Sequence, residues 1–461
     1  KLSYLKQLGV TAIYFNPLFE SPSLHKYDAA MYHHIDNNFG PNPKLDQIIW
    51  GREDPADPSS WQWTSADSLF LNLIKLCHEN GIKVIIDGVF NHVGNNFWAF
   101  KDVIEHQEKS KYKDWFYIES WDDPSTTQSE FQYRGWYGVA DLPELKEDEN
   151  GLIKPIRDHI HAVVKRWMDP NGDGDPSDGI DGWRLDVADM VDIQFWKVFR
   201  SWVKEINPEA YLTGEIWWED FNKNKMYNAS PWLNTAFDGV MNYRVARAIK
   251  QFVIDRNNRI SAPAFKDSIQ TIFTQYPFEN VLVSQNLMDS HDVDRIASQI
   301  VNPDRWYDHG ANPFQNPEYQ VRRPNTQEWS IFKLVVGLQM MLPGAPMIYY
   351  GDEAGMWGGD DPDCRKPMVW PELKYEPETH HPFGYPRPKD EVEFNTEIFN
   401  WYRKLISIRR SHPEISRGAI TFPDDGSSIP GLLMFVRSFH SRRTLVILNN
   451  RPESLSIALN L

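Results

Sequence analysis

Short β-branched runs recur along this chain, each followed by a polar loop and then a stretch whose apolar residues return with a helical period. The runs are "VTAIYFNP" (10–17), "IKVIIDGVFNH" (82–92), "GIDGWRLDV" (179–187), "AYLTGEIWW" (210–218), "FDGVMNY" (237–243), "VLVSQNLMDSHD" (281–292) and "APMIYYGDE" (345–353). Helical stretches such as "LFLNLIKLCHENG" (69–81), "FWKVFRSWVKEI" (195–206) and "WSIFKLVVGLQMML" (329–342) separate them. Runs that are apolar on both faces and alternate with helices predict a parallel sheet covered on both sides. Seven such strands predict an α/β chain built on a (β/α)8 barrel, with the first barrel strand expected before Lys1. A doubly wound open sheet is the structural alternative, but no glycine-rich phosphate loop follows any run.

The alternation is interrupted twice and then ends. Residues 41–66 predict a small insertion after the second barrel strand, and residues 93–150, aromatic and turn-rich, a larger one after the third. Near residue 413 the pattern changes to alternating strands, "GLLMFVRSF" (431–439) and "RTLVILNN" (443–450). The expected organisation is a first barrel segment (1–92), an inserted domain (93–150), the rest of the barrel (151–412) and an incomplete C-terminal antiparallel β domain (413–461). The opening "KLSYLKQLG" already lies inside a helical pattern, so a preceding piece is also expected.

Composition narrows the partners. The 461 residues carry a net charge of −16 with the charges scattered, which argues against nucleic acid or an anionic membrane as a partner. No apolar run approaches the roughly 20 residues that span a bilayer. Cys77 and Cys364 do not make a disulfide framework, and cytoplasm, periplasm and secretion all stay open. The 19 Trp, 19 Tyr and 25 Phe supply a large core, and also rings able to stack on the apolar faces of sugars.

Polar residues gather at the C-terminal ends of the runs: Asp87, Asn91 and His92; Arg184 and Asp186; Glu215; His291 and Asp292. One acid ending a strand is ordinarily a cap, and one histidine there a packing residue. Three acids, each ending a different run beside a His, Arg or Trp, point instead to a shared site at a barrel mouth. Without a zinc-spaced set of His or Cys, metal-assisted hydrolysis and glycoside cleavage remain. Glycoside cleavage needs one ionised carboxylate as nucleophile and one protonated acid facing it. Arg184 projects to the same side of its strand as Asp186 and is expected to hold it ionised. Glu215, followed by "IWW", is expected to have its pKa raised by an aromatic surround, as a general acid requires.

At these residues the chain resembles the alpha-amylase family, glycoside hydrolase family 13, over nearly its whole length. "DGVFNH" (87–92), "GWRLDVADM" (182–190), "GEIWW" (214–218) and "LMDSHDVDR" (287–295) look like that family's four sequence regions in order. The resemblance implies Asp186 as nucleophile, Glu215 as general acid/base and Asp292 as transition-state stabiliser, with Arg184, His92 and His291 binding the glucose ring at the scissile bond. It further implies Tyr27 in "HKYDAA" (25–30) stacking under that ring, and Asp361 and Arg365 in "GDDPDCRKPMVW" (359–370) binding sugar. The insertion at 93–150 corresponds to the family's domain B and the C-terminal strands to its domain C. Lys26 and "GWRLDVAD" are closest to the neopullulanase and cyclomaltodextrinase branch. Asp189 and Met190 stand where ordinary alpha-amylases carry Lys and His, and Lys146 in "DLPELK" where an asparagine is usual.

The implied activity is retaining hydrolysis of alpha-1,4-glucosidic bonds in starch-derived oligosaccharides or cyclodextrins. A transglycosidase using the same residues is an alternative, and a non-catalytic sugar-binding relative a third; such a relative should have lost a carboxylate, and none is lost. No organic cofactor is expected. One acidic loop, "DPNGDGDPSDG" (169–179), spaces Asp169, Asn171 and Asp173 like the first half of a calcium loop, with Asp175 and Asp178 able to complete an oxygen cage. Ile180 stands where a bidentate acid would close that loop, and a solvated acidic turn is the alternative. A structural calcium is the expectation.

Overall fold

The computed structural model describes residues 1–423 and 429–457, so 424–428 and 458–461 of the expected C-terminal domain lie outside the described residues. The chain divides into two compact units, one of residues 1–6, 10–217 and 231–240, the other of 7–9, 218–230 and 241–461.

The first unit is built on five parallel strands in sequential order: β1 (Ala12–Phe15), β2 (Lys83–Gly88), β3 (Gly182–Leu185), β4 (Tyr211–Gly214) and β5 (Gly239–Val240). The runs of β2 and β3 are buried on both faces, whereas β1 is only half-buried; every residue of β3 is buried, and Val84, Ile86, Trp183, Leu185 and Leu212 belong to the core. The register aligns Asp87 with Arg184 and Arg184 with Thr213, and the last paired row sets Leu185 beside Gly214. A Cβ on Gly182 would sit 2.2 Å from the carbonyl oxygen of Tyr211, so only glycine lets β3 and β4 approach as they do. Helices α1 (Ser65–Glu79), α2 (Lys154–Met168) and α3 (Ile193–Ile206) separate these strands. In α2 the buried Ile156, Ile160, Val163, Val164 and Trp167 follow the helical period; in α3 Phe195, Trp196, Phe199 and Val203 do. Between β2 and α2 run the helix Trp98–His106 and two short antiparallel pairs, Ile118–Ser120 with Gln132–Tyr133 and Glu147–Asp148 with Gly151–Leu152.

In the second unit, β6 (Gln285–Asn286) pairs in parallel with β7 (Ala345–Pro346), and α4 (Thr326–Met341) and α5 (Thr396–Ser411) are its longest helices among the described residues. The strand predicted over 281–292 is much shorter, because Phe278–Val283 is helical behind Pro277 and only two residues pair. An apolar triplet such as Val281–Val283 fits either period, and the proline at the N-cap decides it. The strand predicted over 345–353 likewise shrinks to two residues. Pro346 has no N–H to extend the ladder, and Gly351 takes φ 90° in the turn beyond. Strands β8 (Ala419–Thr421), β9 (Leu432–Phe439) and β10 (Arg442–Asn449) form the antiparallel sheet that the alternating pattern predicts. Arg437 on β9, fully buried, donates to the carbonyls of Met341 and Gly418, and Arg409 to those of Met340 and Leu342. Two cations thus satisfy carbonyls at the C-terminal end of α4, where a helix leaves them unpaired.

The 41–66 segment is held to the first unit by buried charge. His34 lies between Asp67, 2.7 Å from Nδ1, and Glu53, 2.8 Å from Nε2, while Arg166 is 3.2 Å from Asp67. Asp67 also closes the capping box of α1 with Thr64. His33, stacked on Trp61, brings its Nε2 to 3.7 Å from the same Glu53 oxygen. Ligand atoms of His33, His34 and Glu53 lie within 4.8 Å of one another. Two carboxylates against His34 and Arg166 already balance, so the group is neutral with a proton on His34. Burial works upward on Glu53, yet the hydrogen bonds of His33 and His34 carry it down to about 2; burial works downward on His34, and its two carboxylate partners raise it. Asp67→Ala should therefore destabilise the protein by about 3–5 kcal/mol in urea unfolding at neutral pH. The Glu53 contribution exists above its ordinary 4.5 and should fade as pH falls through about 2; that of His34 is complete below 6.5 and should fade as pH rises through its raised value.

Candidate active site

The C-terminal ends of β1 to β4 converge on one guanidinium. Arg184, fully buried, places Nη1 3.0 and 3.1 Å from the two oxygens of Asp87 and 2.7 Å from Asp186, while its Nη2 is 2.7 Å from Glu215. Strand alternation brings Arg184 and Asp186 to the same side. Asp186 and Glu215 immediately follow the paired row Leu185 and Gly214, so they stand abreast on neighbouring strands about 4.8 Å apart. The Glu215 N–H donates to the Leu185 carbonyl at 2.9 Å, which fixes that alignment. Val187 then takes φ 36° and ψ 47°, the left-handed region, which a β-branched side chain rarely occupies. In that conformation its N–H donates to Oε2 of Glu215 at 3.0 Å. Both oxygens of Glu215 are thereby oriented.

Tyr14 and Tyr27 add hydroxyl donors to Asp87, at 2.7 and 3.1 Å. His92 is buried beside Asn91, and its ring stacks on Trp136, centroids 5.2 Å apart. Burial pushes His92 down to about 4, so it is neutral at physiological pH.

The electrostatics differ from the sequence expectation in one respect. Arg184 is shared by three buried carboxylates instead of being the private counter-ion of Asp186. One positive charge against three acids leaves the cluster strongly electronegative, and burial pushes Asp186 well above the carboxylate range. Arg184 pulls it down, while Glu215 and Asp87 add to the rise. Asp186 therefore holds its proton more tightly than an ordinary carboxyl, against the expectation that Arg184 keeps it ionised. Glu215 also lies against Arg184 and a backbone N–H, not only among the aromatic side chains that "IWW" predicts. Such a site offers a nucleophilic carboxylate and a proton donor abreast of one another.

His291, Asp292, Asp361 and Arg365 are brought together within the second unit. Asp292 sits 3.0 Å from His291 Nε2 and 3.2 Å from Arg365 Nη2. Arg365 Nε donates to the His291 carbonyl at 2.9 Å and lies 3.0 Å from Asp361. One Asp292 oxygen is thus held by the Arg365 guanidinium and the other faces the His291 ring.

In the acidic loop, Asp169 accepts the N–H groups of Gly172 and Gly174, and Asn171 that of Asp173; Asp173 in turn accepts the N–H of Asp175. Asp175 caps the short turn after it through the N–H of Ser177. Asp178 is different. Its Oδ1 is buried without a hydrogen-bond partner, and burial together with Asp169 and Asp173 pushes its pKa up. The donors are all oxygen, the type a hard cation such as calcium takes, but among the described residues no three acids of this loop bring ligand atoms within 4.8 Å of one another.

Sequence reasoning missed Tyr14, Trp136 and Tyr137. Tyr14 was legible in principle, since it lies two residues before Asn16 on the run that ends at the same mouth. The two aromatic residues sit in the irregular 93–150 segment, where no period assigns a face.

The alpha-amylase catalytic-domain family matches residues 1–52 and 64–418, leaving out only 53–63, within the predicted first insertion, and the C-terminal residues. The chain is 34% identical to neopullulanase 2 of Thermoactinomyces vulgaris over 461 residues, which is all of this chain and 63% of that protein. It is 35% identical to a cyclomaltodextrinase of Thermoanaerobacter pseudethanolicus, covering 64% of it. The chain thus spans a little under two thirds of these relatives. Among solved structures, a cyclic alpha-maltosyl-(1→6)-maltose hydrolase from Arthrobacter globiformis superposes with a TM-score of 0.70 at 27% identity, over 97% of this chain and 80% of that one. The fold class is the family's (β/α)8 barrel with a C-terminal β domain. With strands, strand-end carboxylates and matched segments in agreement, the chain belongs to the alpha-amylase family.

Proposed function

We propose that the protein is a retaining glycoside hydrolase that cleaves alpha-1,4-glucosidic bonds in starch-derived oligosaccharides or cyclodextrins. The observation that carries this reading is the pair Asp186 and Glu215, abreast on neighbouring strands and bound to adjacent nitrogens of one buried guanidinium. Retaining enzymes need their two carboxyls about 5–5.5 Å apart. The relatives' names, neopullulanase and cyclomaltodextrinase, agree with the substrate class.

In this reading an Asp186 oxygen attacks the anomeric carbon while Glu215 delivers its proton to the departing glycosidic oxygen. A covalent glycosyl-enzyme forms as the carbon–oxygen bond breaks. Water, deprotonated by Glu215, then displaces Asp186 and restores the starting configuration. Arg184 holds both carboxylates in register throughout. Tyr27, His92, His291, Asp361 and Arg365 bind sugar, and Asp292 stabilises the positive charge developing on the ring, as the family resemblance assigns. The segment 93–150 is the inserted domain B between barrel segments 1–92 and 151–412, and residues 413–461 belong to the C-terminal domain. A calcium held by Asp169, Asn171, Asp173, Asp175 and Asp178 would stabilise the loop that leads into β3, with the unpaired Asp178 oxygen as its strongest support.

Polarimetry or NMR of the first products from maltoheptaose should show the alpha anomer. Glu215→Gln should lower kcat by about 10²–10⁴, and Asp186→Asn at least as much, with circular dichroism unchanged. Beta-anomeric products, or an Asp186→Asn variant at the wild-type rate, would overturn the reading.

Calcium should raise the melting temperature of chelator-treated protein, and Asp178→Asn should abolish most of that rise. A melting temperature indifferent to calcium would remove the metal from the account.

A further inference from the structure

From His92, four residues beyond the end of β2, a run of rings leads to an exposed tyrosine. His92 stacks on Trp136, centroids 5.2 Å apart and planes 23° from parallel, and Trp136 contacts Tyr137 at 5.0 Å. Tyr137 is 78% exposed, and its φ of 48° lies in the left-handed region. An exposed aromatic ring held in a conformation that non-glycine residues avoid needs a reason beyond packing. Trp136 is itself fixed, because its Nε1 donates to the sulfur of Met190 at 2.9 Å, and Met190 lies only four residues beyond Asp186. Asp189, between them in sequence, is half-buried, and its charge is felt by both Tyr137 and Glu215. The aromatic run is therefore tied to the carboxylate site through Met190 and Asp189.

We propose that His92, Trp136 and Tyr137 form a track for an extended alpha-glucan chain, so that the protein favours long oligosaccharides over short ones. This rests on the hydrolase reading and names the length of substrate it prefers. Pyranose rings present an apolar C–H face that stacks on aromatic side chains, and successive glucose units along a glucan can meet successive rings. The carboxyl of Asp189 would accept hydroxyl hydrogens at the edge of the track. Such a site favours a neutral, ring-rich polymer over a charged ligand, since no Lys or Arg contributes to it.

The test compares wild type with Tyr137→Asn, because asparagine tolerates the left-handed conformation and removes the ring without new strain. Losing one stacking ring should lower the ratio of kcat/KM on maltoheptaose to that on maltotriose about tenfold, the equivalent of about 1.4 kcal/mol. Tyr137→Phe keeps the ring and should keep the ratio. Isothermal titration of maltoheptaose into Glu215→Gln protein, with and without Tyr137→Asn, reads the track independently of turnover, and the second substitution should weaken binding about tenfold. Tight, ring-dependent binding in a wild type that hydrolyses nothing would keep the track and defeat the hydrolase reading. An unchanged ratio together with unchanged affinity, or equal losses on both oligosaccharides, would overturn the track.

Discussion

One guanidinium, enclosed by three carboxylates and sealed from solvent, sets the terms for the rest of this molecule. Arg184 cannot lose its proton at any physiological pH, so the acids around it must adjust. It binds Asp87, Asp186 and Glu215 at 2.7–3.1 Å, and Tyr14 and Tyr27 take part of the remaining charge on Asp87 by donating hydroxyl hydrogens. The balance leaves the Asp186 carboxyl well above its ordinary range. Two buried carboxyls abreast on one guanidinium offer the two partners that a double displacement needs, one to attack and one to donate. Removing the cation would leave this buried carboxylate cluster without its counter-charge, a far larger penalty than losing a surface ion pair.

The fold supplies this arrangement through simple strand geometry. Parallel strands in sequential order deliver their C-terminal ends to one edge, and the register of β2, β3 and β4 aligns Asp87 with Arg184 and places Asp186 beside Glu215. Gly182 lets β3 and β4 approach, and the left-handed Val187 turns its N–H onto Glu215. Strain is concentrated one residue after the nucleophile candidate, and the fully buried strand before it provides the rigid base that strain requires. Further out, the neutral group around His34 ties residues 41–66 to the helix that follows β1.

Much of this could be read from the sequence because the chemistry rides on the most regular elements. The Arg184–Asp186 spacing of two fixes a common side of the strand, and strand-end acids on neighbouring strands meet once the strands are parallel. Boundaries were harder. Val281–Val283 is helical because Pro277 starts a helix just before it, and Pro346 cuts short the run that begins at Ala345. The sharing of Arg184 could not be read either, since it depends on register between strands about a hundred residues apart. Trp136 and Tyr137 were hidden for a different reason: an irregular segment carries no period, and only coordinates show that the rings touch. The lone unpaired oxygen of Asp178 was equally invisible in a loop of five similar side chains.

The proton count of the carboxylate cluster tests the account most directly. Carbon-13 NMR of protein labelled at the aspartate and glutamate carboxyl carbons, compared with Asp186→Asn and Glu215→Gln to assign signals, would count protonated acids near neutral pH. The account predicts that Asp186 titrates well above the ordinary carboxylate range, held there by burial among the neighbouring acids. An Asp186 signal that titrates in the ordinary carboxylate range would contradict it.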